Sequence, residues 1–163
     1  MRKVVAMLVA VAVLSTAATA LLVWQLVRTG HVSPHPEISA YTRGQLVRVE
    51  PYRFCDVYDI TKCDGTGVSA QLRVAPRDQI QLSLPEGIAK APWVLLRSYE
   101  DGGPEQVEEF RPGSRVAVTI PPVDPQRGKL TGFAVMLPTL VRDEEGNEFP
   151  WPHAEWSVST VWA

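Results

Sequence analysis

Cys55 and Cys63 are the only two cysteines of the chain, eight positions apart, and their spacing decides what chemistry they can do. In an oxidising compartment such a pair closes a disulfide. The C-x7-C spacing is not the CxxC of a redox-active dithiol, and no histidine neighbours either cysteine to complete a metal-ligand set. A disulfide is the expectation. The three histidines are His31, His35 and His153. A zinc site takes three or four ligands, and a blue-copper site two histidines with a cysteine. His31 and His35 fall in a proline-containing stretch and read as solvated linker residues, while His153 belongs to Phe149-Pro150-Trp151-Pro152-His153, read as an aromatic, proline-rich loop. No metal and no other cofactor is expected.

Recognisable catalytic motifs are missing. The chain has no G-x-S-x-G and no glycine-rich phosphate loop ahead of a helix. Glu108-Glu109 and Glu144-Glu145 are carboxylate pairs, but neighbours on a strand point to opposite faces, and the spacing of a calcium loop is absent. Both pairs read as solvated charge. The tryptophans remain. Trp93 opens the most apolar strand and Trp156 shares one strand face with Val158 and Thr160, so both read as core, whereas Trp151 lies between prolines and Trp162 sits beside the C-terminus. Tryptophan is enriched in binding hot spots, so Trp151, His153 and Trp162 form the candidate interaction surface. The expected function is a non-enzymatic binding module. The alternative is a ligand carrier or an enzyme with a site around His153 and Trp151.

The elements that must position these residues begin with a membrane segment. Met1-Arg2-Lys3 precedes an uncharged apolar run of 24 residues, Val4 to Val27, closed by Arg28. As a helix that run is about 36 Å long, more than a bilayer core of about 30 Å. Residues 1–3 read as a cytoplasmic n-region, 4–27 as a transmembrane signal-anchor, 28–42 as a tether and 43–163 as an extracytoplasmic domain. Ala18-Thr19-Ala20 resembles a signal-peptidase site, so the competing reading is a secreted protein cleaved near Ala20. All 18 acidic residues follow residue 28, as do 13 of the 16 basic ones, leaving residues 29–163 with a net charge of −5. A mildly acidic domain with scattered basic residues is a poor nucleic-acid binder, and no nucleic-acid partner is expected.

Fourteen prolines and eleven glycines favour short strands between turns over long helices. Leu46–Phe54 reads as a first strand. Val68–Val74 places Ala70, Leu72 and Val74 inward, and Gln79–Leu84 does the same with Ile80, Leu82 and Leu84. The turn Pro76-Arg77-Asp78 joins these two as antiparallel neighbours. Trp93–Tyr99, Glu105–Phe110 and Arg115–Ile120 follow, with Pro85–Ala91 as a short helical turn. Leu130–Val141 and Glu155–Trp162 form the last pair, across a long polar loop. Seven or eight short strands of this kind predict an all-β fold, an antiparallel immunoglobulin-like β-sandwich preceded by one transmembrane helix.

Tyr52-Arg53-Phe54-Cys55-Asp56-Val57 with Cys63, then Gln81-Leu82-Ser83-Leu84-Pro85 and Ala91-Pro92-Trp93, resemble a family of small exported proteins of unknown function from mycolic-acid-bearing actinobacteria. Asp143, Gly146-Asn147 and Trp156-Ser157-Val158-Ser159 extend the likeness over most of the domain. The resemblance implies a cell-envelope location and paired cysteines, and no activity. The low lysine content, four against twelve arginines, suits the GC-rich genomes of such organisms. The expected partners are the membrane, through the helix, and another envelope protein or component.

Overall fold

The computed structural model describes residues 2–28 and 34–163, which fall into two units, Met1–Pro34 and His35–Ala163. His31 lies outside the described residues.

In the first unit, helix α1 spans Arg2–Arg28. Alanine and leucine favour the helix, and no glycine or proline interrupts it. The hydroxyls of Ser15, Thr16 and Thr19 donate to carbonyls three or four residues back, at 2.8–3.0 Å. That contact satisfies polar groups within an apolar span. Arg2–Gln25 is long and apolar enough to cross a membrane, a property that signal sequences share.

The second unit is built from two sheets. The smaller has strand order β2-β1-β6-β9, with β1 Ile38–Thr42, β2 Gln45–Val49, β6 Ile80–Ser83 and β9 Ala117–Ile120. All its pairings are antiparallel. Arg43 and Gly44 make the β1–β2 turn, both at positive φ (47° and 76°), the two-residue geometry that follows the twist of a hairpin. The larger sheet runs β4-β3-β12-β11-β7-β8. Its strands are β3 Arg53–Cys55, β4 Cys63–Asp64, β7 Trp93–Tyr99, β8 Gln106–Phe110, β11 Gly128–Arg142 and β12 Glu148–Trp162. Strand β10, Val123–Asp124, pairs with the start of β11, and β5, Ala70–Val74, pairs in parallel with the end of β12. A one-turn helix, α2, covers Glu86–Ala89. Ile38, Leu82 and Ile120 of the small sheet and Leu95, Val135 and Trp156 of the large one belong to a single buried cluster. The protein is thus mostly β, in largely antiparallel sheets, with one N-terminal apolar helix.

Several expectations change. The tether expected over 28–42 ends early, because Ile38–Thr42 is strand β1 and both Ile38 and Ala40 are fully buried. The first strand is two: Pro51 cannot donate to a ladder, and the chain passes from β2 in one sheet to β3 in the other. Strands β5 and β6 are not neighbours. They present Leu72 and Val74, then Ile80 and Leu82, to the same core from opposite sheets. The strand expected over Arg115–Ile120 starts only at Ala117, and Val116 just before it is 56% exposed. The long loop before the last strand contracts to Asp143–Asn147, where the Asp143 carboxylate accepts hydrogen bonds from the Asn147 backbone N (2.7 Å) and Nδ2 (3.0 Å). Phe149 to His153 is therefore strand.

Candidate functional site

Strands β11 and β12 outrun their neighbours. Pairing with β7 reaches only Met136, and pairing with β3 begins only at Ala154. Residues 137–142 and 148–153 therefore form a two-stranded arm. A register shift after Leu137 leaves His153 as the extra residue, a bulge at the arm's base. Beyond it Pro138 faces Pro152 and Leu140 faces Pro150, while Thr139 pairs with Trp151 and Val141 with Phe149. Prolines have no N–H, so the ladder bonds run through the Thr139 and Val141 pairs, and the proline nitrogens lie along the outer edges.

This arrangement gives the arm two unlike faces. Trp151 and Phe149 share one face with Thr139 and Val141, at 42% and 40% exposure. The other carries the prolines, Leu140 and the Arg142–Glu148 ion pair.

His153 stands at the foot of the arm with its ring edge-on to Phe54, centroids 6.2 Å apart. Its Nδ1 is buried with no hydrogen-bond partner among the described residues. Burial pushes the imidazole below the usual histidine range, and the Leu137 carbonyl acts in the opposite direction. Phe54 also meets Trp156 edge-on, at 6.3 Å, and stacks on His35 at 4.3 Å. His35 Nε2 in turn lies 2.9 Å from the Asp64 carboxylate. His35 is therefore not the solvated linker residue expected. Its pairing with Asp64 crosses 29 positions, and no local sequence signal announces it.

Cys55 and Cys63 are directly opposed in the β3–β4 ladder, their sulfurs 2.00 Å apart, at disulfide bonding distance. The loop they close carries Asp59, whose carboxyl is held below its usual range by hydrogen bonds from the Thr61 hydroxyl, Lys62 and the Thr61 backbone. Gly65 follows β4 at φ 133°, where a Cβ would lie 2.5 Å from the Tyr52 carbonyl oxygen.

The three residues expected to share a surface do not all meet. Trp151 and His153 flank the base of the arm. Trp162 is eleven residues further along β12, about 36 Å away at the rise of a strand. There its indole Nε1 donates to the Leu130 carbonyl at 3.0 Å, and the Lys129 ammonium lies over the ring at 5.3 Å. Sequence reasoning missed the groove on the proline face of the arm. It has a volume of about 630 Å³ and is walled by Pro92, Val94, Val107, Met136, Pro138 and Pro152, with Glu109 and Arg111 at its polar margin. The signal was the proline spacing itself, once read as strand. Among the described residues no group of three or more His, Cys, Asp or Glu side chains is placed to hold a metal ion.

Against known proteins, a family model described as "Protein of unknown function (DUF2771)" matches residues 31–161. Uncharacterised proteins of Mycobacterium bovis and Mycobacterium tuberculosis are each 51% identical over 138 residues, covering 85% of this chain and 85% of their own length. No solved structure matches significantly.

Proposed function

The chain belongs to the DUF2771 family of proteins of unknown function, and from that footing we propose a non-enzymatic role in the cell envelope. Helix α1 anchors the chain in the plasma membrane, and the two sheets form a β-sandwich on the extracytoplasmic side that acts as a binding module. The basic start of the apolar helix supports that orientation. So does a cysteine pair at bonding distance, which suits an oxidising compartment.

The observation that carries the reading is the arm. Two large aromatic side chains, Phe149 and Trp151, stand exposed on one face of a ribbon that projects past the rest of its sheet. Exposed apolar groups gathered on one surface mark contact sites, and tryptophan supplies a large rigid area at low entropic cost. The partner is another envelope protein or component. Copurification from mild detergent tests this with three proteins: the full chain, a chain starting at Pro34, and full-length Trp151→Ala. A partner retained by the first two and lost from the third supports the arm; partners that depend only on α1 overturn it. Carriage of a small ligand is a second reading, favoured by the groove volume of about 630 Å³, which falls in the usual range for ligand sites.

A further inference from the structure

We propose that the outer face of the larger sheet is a binding trough for an amphiphile with one alkyl chain and an uncharged, hydroxyl-rich head such as a saccharide. The proposal rests on the envelope reading only for the source of such a ligand.

The proline-walled groove does not end at the arm. Met136 also lines a second concavity of about 430 Å³, so the two adjoin along the sheet. Strand register gives the floor. Met136 lies between Glu155 and Val94, and Val94 faces Glu109 on β8. The next row is Ser157, Ala134, Leu96 and Val107, and beyond it lie Ser159, Gly132 and Ser98. Polarity therefore changes along the trough. At the arm end prolines, Val94 and Met136 offer an apolar bed suited to a methylene chain.

At the other end the side chains shrink and become hydroxylated. Gly132 and Ala134 keep the floor low, so a bulky head reaches the sheet. Ser98 donates to Glu105 and Ser159 to the Ala70 carbonyl, so both hydroxyls are left to accept; Ser157 accepts from Ser69 and keeps its own proton, and Glu105 and Glu155 accept only. Carboxylates flanked by hydroxyls suit a partner rich in O–H donors. They oppose an anionic head: three glutamates and one arginine line the two concavities, and with Arg53, which pairs with Glu155 at 3.8 Å, the balance is still acidic. The chemistry selects a neutral polyol head over a phosphate.

The test uses the full chain in phosphatidylcholine nanodiscs, with a sucrose monolaurate probe carrying a diazirine at the end of its chain. Dodecyl phosphate with the same diazirine is the control, and adducts are mapped by peptide mass spectrometry. The expected result is saturable labelling of peptides containing Val94, Met136 and Pro138, competed by unlabelled sucrose monolaurate, with at least tenfold less from the phosphate probe. Val94→Glu should cut the labelling at least tenfold while the melting transition is kept. Should that variant fail to fold, Val107→Glu carries the same charge into the groove from an exposed position on β8. Labelling confined to α1, equal labelling by the phosphate probe, or undiminished labelling of a folded charge variant overturns the proposal. Trp151 lies on the opposite face of the arm, so Trp151→Ala should keep the labelling. That variant separates failure of the trough from failure of the arm as a partner surface.

Discussion

The indole Nε1 of Trp156 donates to the carbonyl of Pro36 at 2.8 Å, across 120 positions of sequence. This bond fastens the start of the β unit to a fully buried side chain at its centre. Trp156→Phe keeps one six-membered ring but removes the pyrrole half with its N–H, leaving the Pro36 carbonyl without that donor and a void beside it, and should destabilise the unit by at least about 1–2 kcal/mol. Urea unfolding measures it; an unchanged midpoint would show that the contact adds nothing.

Strand β1 makes a sharper prediction about boundaries. A chain starting at Pro34 should fold with a cooperative melt, while one starting at Arg43 loses Ile38 and Ala40 and uncovers the β6 edge. Circular dichroism melts of the two distinguish the cases. Equal cooperativity would make β1 dispensable.

The half-buried His153 should make stability depend on pH. Its folded pKa lies below the free value of 6.5, so the unfolded chain binds the proton more readily. Above about pH 6.5 the residue is neutral in both states and no stability is lost. As the pH falls through that value and on through the folded pKa, the unfolded state is favoured progressively. His153→Gln should therefore narrow the gap between urea midpoints at pH 8 and pH 5. Identical pH slopes in the two proteins would remove His153 from the account.

The cysteine pair predicts no free thiol on alkylation of the unreduced, unfolded protein, and two after reduction. Closing a loop of eight positions' separation restricts the unfolded chain, so reduction should cost about 2.5 kcal/mol. Two thiols alkylated without reductant would defeat the pairing.

Gly65 tests the backbone beside that pair. An added Cβ would overlap the Tyr52 backbone, and φ is positive there, so Gly65→Ala should cost more than about 2 kcal/mol. Gly146, with open space around its Cβ position, is the control with a milder penalty, both read by thermal melts.

Alternation made the inward faces legible in the sequence: Leu72 and Val74, Ile80 and Leu82, Trp156 and Val158 are all buried where a period of two puts them. A period of two names a face and says nothing about which sheet the strand joins, so the turn between β5 and β6 suggests a pairing that the two sheets do not make. Strand β1 was hidden because five residues beside Pro34 and Pro36 carry too little pattern. His35 was misread because Asp64 and Phe54 reach it only in the folded unit. The Phe149–His153 segment reads as a loop in the sequence because proline rarely enters a strand, yet edge positions without a ladder bond tolerate it.

The same prolines govern how the molecule behaves in a crowd. An uncovered ribbon that displays an indole would ordinarily recruit further strands and seed cross-β stacking. Along the flanks of this one, the nitrogens of Pro138, Pro150 and Pro152 cannot donate, so the template is broken on both sides. A strand added to either flank would lose ladder bonds at those positions, which opposes polymerisation through the arm.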